Sequence, residues 1–211
     1  MLKIQTFNFN LFQENTYVLF NEHKEAWIID PGCYYPEEEE TLRKFIEDNQ
    51  LKPVQLLNTH CHIDHIFGLK WVADTYKLAP YFHEAEEVIR KGAGIISEEY
   101  GVPFPQYEGP VHFLNESDIV KLEDDELKII HTPGHSPGSI SFYNAQQQFL
   151  IDGDVLFYES IGRTDFPFCN HADLLHSIRE KLFTLSDETK VYPGHGQPTT
   201  IGYEKKNNPF L

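Results

Sequence analysis

Three imidazoles and a carboxylate crowd into one short run, His60-Cys61-His62-Ile63-Asp64-His65, directly after an apolar stretch. Imidazole nitrogen and carboxylate oxygen together suit zinc, iron or manganese. In an extended loop, residues 60 and 62 project to the same side, while Asp64 and His65 at the start of a following helix can face a second point. Such a cluster can supply two adjacent metal ions rather than one. A lone histidine would be read as packed or surface-bound. Four ligand-type residues at this spacing need partners that an ordinary loop does not provide.

Three more ligand-type residues occupy matching places. His135 lies in Thr132-Pro133-Gly134-His135-Ser136-Pro137-Gly138, Asp154 in Asp152-Gly153-Asp154, and His195 in Tyr192-Pro193-Gly194-His195-Gly196. Each sits where an apolar, strand-like segment gives way to a Gly or Gly/Pro loop, which is typical ground for functional residues. Each is weak evidence alone, and together they are strong. The remaining histidines (His23, His83, His112, His131, His171 and His176) read as surface or structural residues, with only His131 and His171 in reach of the same region. Cys61, between ligands, is expected to turn into packing.

The elements that must position these groups are strands with a few helices, then the same again. Alternation predicts strands over 3–9, 16–20 and 25–30, a helix starting at Pro36, and a buried strand over 54–57 that ends at the histidine motif. Glu37 to Glu40 read as a solvated first helical turn at the positive end of the helix dipole. A helix is expected over 65–77, with Ile66, Leu69, Val72 and Ala73 on one face, and another over 84–99, interrupted near Gly92 and Gly94. Residues 101–110 read as a loop whose Phe104 and Tyr107 either cover the site or meet a second subunit. Strands over 127–131, 139–143 and 149–151, a helix over 171–184 and a strand over 190–192 complete the series. Two sheets face to face with helices outside accommodate that order.

The 211 residues, 40% hydrophobic and 14% aromatic, suit one globular domain over 1–211. A formal charge of −16 argues against a nucleic-acid partner, because phosphate binding draws on Lys and Arg. No apolar run approaches a membrane span, and Met1-Leu2-Lys3-Ile4-Gln5-Thr6 opens without a signal-peptide core. Three cysteines, an odd number, point away from a disulfide framework and toward a reducing compartment, so the cytoplasm is the expected location.

The run HxHxDH followed by a single His, Asp and His resembles the metallo-β-lactamase superfamily, over the chain from Asp30 to His195. The resemblance implies an α+β fold, an αββα sandwich of two mixed sheets with helices on the outer faces and metals at one edge. By position, His60, His62 and His135 would hold one metal, Asp64, His65 and His195 the other, and Asp154 would bridge them. Asp30, in Ile29-Asp30-Pro31-Gly32, matches an aspartate that supports the site without ligating it. Two divalent ions are implied, zinc first, with iron or manganese as alternatives. Metal ions about 3.5–4 Å apart share a bridging hydroxide and polarise a carbonyl, which points to hydrolysis of an ester, thioester, amide or phosphoester. Asp154 and Asp64 are the implied catalytic carboxylates, Asp64 as a proton shuttle subordinate to its ligand role.

Within the superfamily, Thr59 to His65 followed by Gly68, together with Gly153-Asp154-Val155-Leu156-Phe157, resembles the glyoxalase II group. Ile161-Gly162-Arg163-Thr164-Asp165-Phe166-Pro167 is similar to its compact bacterial-type members. The implied substrate is a small S-acyl thiol such as S-lactoylglutathione. Arg163 stands where the group places a substrate-contacting basic residue, and it reads almost as well as a surface arginine fixing its own loop. Beyond His195 only Gly196 to Leu211 remain, without room for the basic helical region by which longer members grip glutathione, so the identity of the thiol stays open.

The alternative is a persulfide dioxygenase of the same fold, with one iron on His60, His135 and Asp154. The presence of all seven ligands favours the hydrolase. A lactamase of the commonest type would carry Cys at 154, nuclease members carry basic surfaces, and flavin-partnered oxygen reductases carry a carboxylate at 62. A purely structural zinc would normally use several cysteines.

Overall fold

The computed structural model describes residues 1–211. The chain runs β1 (Lys3–Phe9), β2 (Glu14–Phe20), β3 (Glu25–Ile29), α1 (Pro36–Asp48), β4 (Lys52–Leu57), α2 (Ile63–Ile66), α3 (Leu69–Tyr76), β5 (Pro80–Phe82), α4 (Glu87–Glu99) and β6 (His112–Phe113). It continues through β7 (Ile119–Leu122), β8 (Asp125–His131), β9 (Ile140–Asn144), β10 (Phe149–Gly153), β11 (Leu156–Phe157), β12 (Ser160–Ile161) and α5 (His171–His176), and then β13 (Lys190–Pro193), β14 (Thr199–Thr200) and α6 (Ile201–Asn207). No helix is long and apolar enough to cross a membrane.

Strand alternation builds four layers. The first sheet has the order β1-β2-β3-β4-β5-β6 and the second β14-β13-β10-β9-β8-β7. Both are mixed: β3, β4, β5 and β6 pair in parallel in one, β10 and β13 in the other, and the remaining pairs are antiparallel. Tyr17, Leu19, Trp27 and Ile29 of the first sheet meet Leu127, Ile129, Phe142 and Ile151 of the second in one buried cluster between the sheets. Their neighbours in sequence point the other way. Val18, Ile28 and Leu56 pack under Leu42 and Ile46 of α1 and Leu69 and Val72 of α3, while Leu150 and Val191 pack under Leu174 of α5 and Ile201 of α6. A period of two with both faces buried leaves this one arrangement, the expected αββα sandwich.

Several element boundaries differ from the sequence expectation, each for a local reason. The helix over 65–77 is two pieces, α2 and α3, because the Gly68 N–H turns to donate to the Pro31 carbonyl at 2.8 Å. The helix over 84–99 is a 3₁₀ turn, Glu84–Glu86, followed by α4, which runs unbroken through both glycines. The segment 171–184 stays helical but changes winding, from α5 to a π turn (Ser177–Lys181) to a 3₁₀ turn (Leu182–Thr184). Residues 101–110 hold no helix or strand, and Phe104 and Tyr107 pack against the first sheet's helical layer. Neither lines the cleft over the donors, which corrects the expectation that they cover the site.

Candidate metal centre

The seven predicted donors come together where strands end. β4 delivers His60, His62, Asp64 and His65 through the 58–62 loop and α2, β8 leads to His135, β10 ends one residue before Asp154, and β13 leads to His195. Hydrogen bonds stitch these loops together. The Ile140 N–H donates to the Thr59 carbonyl at 2.9 Å, Gly194 N–H to the Gly153 carbonyl at 2.7 Å, and Asn15 N–H to the Gly194 carbonyl at 2.7 Å. Buried Glu86 ties the first motif to the loop after His135, accepting from Cys61 N–H at 2.8 Å and Gly138 N–H at 2.7 Å.

Most of the imidazoles are held by the outer nitrogen, which frees the inner one. His65 Nδ1 lies 3.1 Å from Asp30 Oδ2, His135 Nδ1 2.8 Å from the Arg163 carbonyl, and His195 Nδ1 3.1 Å from the Phe12 carbonyl. His60 Nδ1 faces Thr59 Oγ1 at 3.0 Å, and that hydroxyl donates to Asp30 Oδ2 at 2.6 Å, so it accepts from the imidazole. Acceptors at Nδ1 put the proton there and aim the Nε2 lone pair inward. His62 is the exception: its Nδ1 faces inward, 2.8 Å from His135 Nε2.

The inward atoms form two clusters. Donor atoms of His60, His62 and His135 lie within 4.8 Å of one another, as do those of Asp64, His65 and His195. Asp154 stands between, with Oδ1 3.4 Å from His65 Nε2 and Oδ2 3.5 Å from His135 Nε2 and 3.6 Å from His195 Nε2. Asp64 Oδ2 lies 3.1 Å from His195 Nε2. Asp30 also falls within 4.8 Å of His60 and His65. Its oxygens are taken by Thr59 N–H (2.7 Å), the Thr59 hydroxyl and His65, so it orients ligands rather than joining them. Asp30 has a φ of +50°, an unfavourable backbone state of the kind that collects at functional sites.

These residues fit divalent cations on two counts. His60 Nε2, His65 Nε2 and Asp154 Oδ1 are buried and have no hydrogen-bond partner, an expensive arrangement unless something positive lies between them. The donor set, imidazole with carboxylate and no thiolate, suits zinc, iron or manganese. Burial pushes the pKa of His60, His62 and His135 down, His62 to about 3, which keeps these rings neutral and ready to ligate. Burial also acts to lower His65, but Asp154 and Asp64 outweigh it and hold this imidazole well above its usual range. Conversely, burial acts to raise Asp64 and Asp154, and the histidines beside them win and draw both carboxylates down.

The other sequence candidates sort cleanly. Arg163 lines the cleft above the donors, yet its guanidinium forms a two-pronged pair with Asp165 at 2.7 Å and lies 3.9 Å over the Phe166 ring. His131 stacks on His83 at 4.3 Å and His171 faces Thr164 Oγ1 at 3.2 Å, so both stay outside the donor clusters. Cys61 is buried in the core as expected. Sequence reasoning missed Glu86, Thr59 as a relay, and Glu14. The last is a fully buried carboxyl with Oε1 3.8 Å from His65 Nδ1, which burial pushes well above the carboxylate range. Only Thr59, adjacent to the motif, had a signal that could have found it.

A mixed double sheet with His and Asp clusters of metal-binding geometry at one edge defines a class of metal-dependent protein. The family model of the metallo-beta-lactamase superfamily matches residues 9–195. The chain belongs to the metallo-β-lactamase superfamily. It is 35% identical to hydroxyacylglutathione hydrolase GloC of Haemophilus influenzae, covering 100% of this chain and 98% of the relative. Among solved structures it resembles BLEG-1, a B3 metallo-beta-lactamase, at a TM-score of 0.89 and 37% identity, covering 99% of each chain. It also resembles TTHA1623 in a di-iron-bound form, at a TM-score of 0.88 and 33% identity, covering 98% of this chain and 100% of the other.

Proposed function

We propose that this chain is a metal-dependent hydrolase of small S-acyl thiols, with two divalent cations held side by side at the sheet edge. His60, His62 and His135 would hold one, Asp64, His65 and His195 the other, with Asp154 between them. The observation that carries the reading is Asp154, whose two oxygens face the two clusters within 3.6 Å. When bound, such a pair of cations lowers the pKa of water toward neutrality and polarises a carbonyl.

The chain's own residues supply the rest. Imidazoles fixed through their outer nitrogens keep the donor geometry in place before substrate arrives, so little reorganisation accompanies the reaction. Asp64 is part-exposed to the cleft, where it can take a proton from water and pass it to the departing sulfur. In the overall change the C–S bond breaks, the water oxygen joins the acyl carbon and a water proton ends on the thiol. Support for an acyl-thiol substrate comes from the full-length likeness to hydroxyacylglutathione hydrolase GloC. The persulfide dioxygenase alternative would use His60, His135 and Asp154 alone and leave buried His65 Nε2 without a partner.

The test is metal analysis of untagged protein purified without added salts, with turnover measured on the same sample. Two equivalents of metal and hydrolysis of S-lactoylglutathione or simpler acyl thiols are expected. A single iron with oxygen uptake on a persulfide would establish the dioxygenase instead. Turnover of a β-lactam and no thioester would move the substrate to amides.

A further inference from the structure

The donors form the floor of a cleft of 770 Å³, within the usual size of a small-molecule site, and its walls have a different character. One wall is α4, where Val88, Ile95 and Ile96 point outward among the lining residues, Ile95 with 68% of its surface exposed. The facing loop contributes Phe166 and Phe168, the latter 62% exposed. A contiguous apolar surface of this kind is rarely left open without a ligand. Away from the donors, the only Lys or Arg side chain lining the cleft is Arg163, already matched by Asp165, and Glu99 adds a negative charge. The walls thus offer an apolar chain more contact than they offer a charged one.

Gly92 adds a second, independent observation. It lies in the middle of α4 and lines the cleft. Glycine at such a position costs about 1 kcal/mol of helix stability relative to alanine. Gly94, two residues on, has a packing reason, since a Cβ there would stand 2.5 Å from Gln106 Nε2. At Gly92 a Cβ would meet nothing within 4 Å. No contact inside the protein fills the space above it, so the helix surface at Gly92 lies open to the cleft and a bound group can approach the backbone there.

We propose that the substrate carries an uncharged apolar chain of several carbons next to the scissile carbonyl, and that this chain lies along α4 over Gly92, against Ile95, Ile96 and Phe168. For turnover the inference rests on the acyl-thiol reading above; for binding it stands on the cleft alone. The chain can sit on the acyl side or the thiol side of the sulfur, and the two are separated by experiment.

The metal-loaded protein is assayed with N-acetylcysteamine thioesters from acetyl to octanoyl, and with acetyl thioesters of alkanethiols of matching lengths. One series should show kcat/KM rising about two- to fourfold per methylene, which places the chain on that side. In Gly92→Leu the octanoyl-to-acetyl ratio (or its thiol-side counterpart) should fall at least about tenfold, with a melting temperature no lower than the parent's. Phe168→Ser, at an exposed position, should move the same ratio in the same direction. Calorimetry with the non-hydrolysable S-octyl thioether of N-acetylcysteamine should show binding that Gly92→Leu abolishes. Flat profiles in both series with no thioether binding overturn the inference, while acetyl turnover leaves the hydrolase reading standing. Graded thioether binding with no turnover of any thioester supports the apolar site and removes the thioesterase.

Discussion

The floor and the wall of the cleft are built on opposite plans. On the floor almost every side chain is fixed twice, by its strand-end loop and by a hydrogen bond behind it, as in the chain from His60 through Thr59 to Asp30 and on to His65. Along the wall, Val88, Ile95 and Phe168 are exposed and rely on shape alone. Directional bonds fix a reaction, because charge must develop at a defined point. Apolar surface fixes only what kind of group lies beside that point, and it tolerates variation. On the proposed reading, the floor sets the reaction class and the wall sets the substrate.

That contrast can be broken at either end, and the largest effect is expected at the centre of the floor. Asp154→Ala removes the one carboxylate that faces both clusters. It should abolish turnover and cost about one equivalent of metal or more, read by metal analysis beside the assay. Full activity in this variant would sink the two-cluster reading. Asp30→Asn puts an amide where Oδ2 accepts from both His65 and Thr59. Metal affinity should fall by roughly 10–100-fold in a chelator competition, with the fold intact by circular dichroism.

Glu86→Gln replaces one of two carboxylate oxygens that hold backbone N–H groups from separate ligand loops. Unfolding in denaturant should show a loss of about 1–3 kcal/mol. An unchanged midpoint would mean the loops are held by other contacts. The smallest effect is expected at the rim. Arg163→Ala should change kcat/KM by less than about fivefold, because the guanidinium is already paired at the surface. A loss of a hundredfold would put Arg163 on the substrate and erase the distinction drawn here.

Much of the floor was legible in the sequence. His135, Asp154 and His195 follow apolar segments at Gly-bearing junctions, and a strand end is a fixed point in a sheet, so position along the chain translated into position in space. The sandwich was legible for the same reason, since runs such as residues 26–29 and 149–151 are buried on both faces. Glu86 was not, because its role depends on where a 3₁₀ turn lands beside two distant loops, and no local pattern encodes that. The break at Gly68 was hidden by an apolar spacing that continues across it. Strands of two or three residues, such as β5, β11 and β14, are too short to show a period, and they exist because neighbouring strands offer unpaired edges. The apolar wall escaped because Val88, Ile95 and Ile96 read as ordinary helical residues until the opposite side of α4 proved to hold the core.

The central claim is that two clusters of donors share one carboxylate. Anomalous scattering from crystals of the protein grown with an excess of zinc or manganese tests it directly. Two peaks are expected, one among His60, His62 and His135 and one among Asp64, His65 and His195, with Asp154 reaching both. One peak alone, or none with these side chains left unligated in excess metal, would contradict the account.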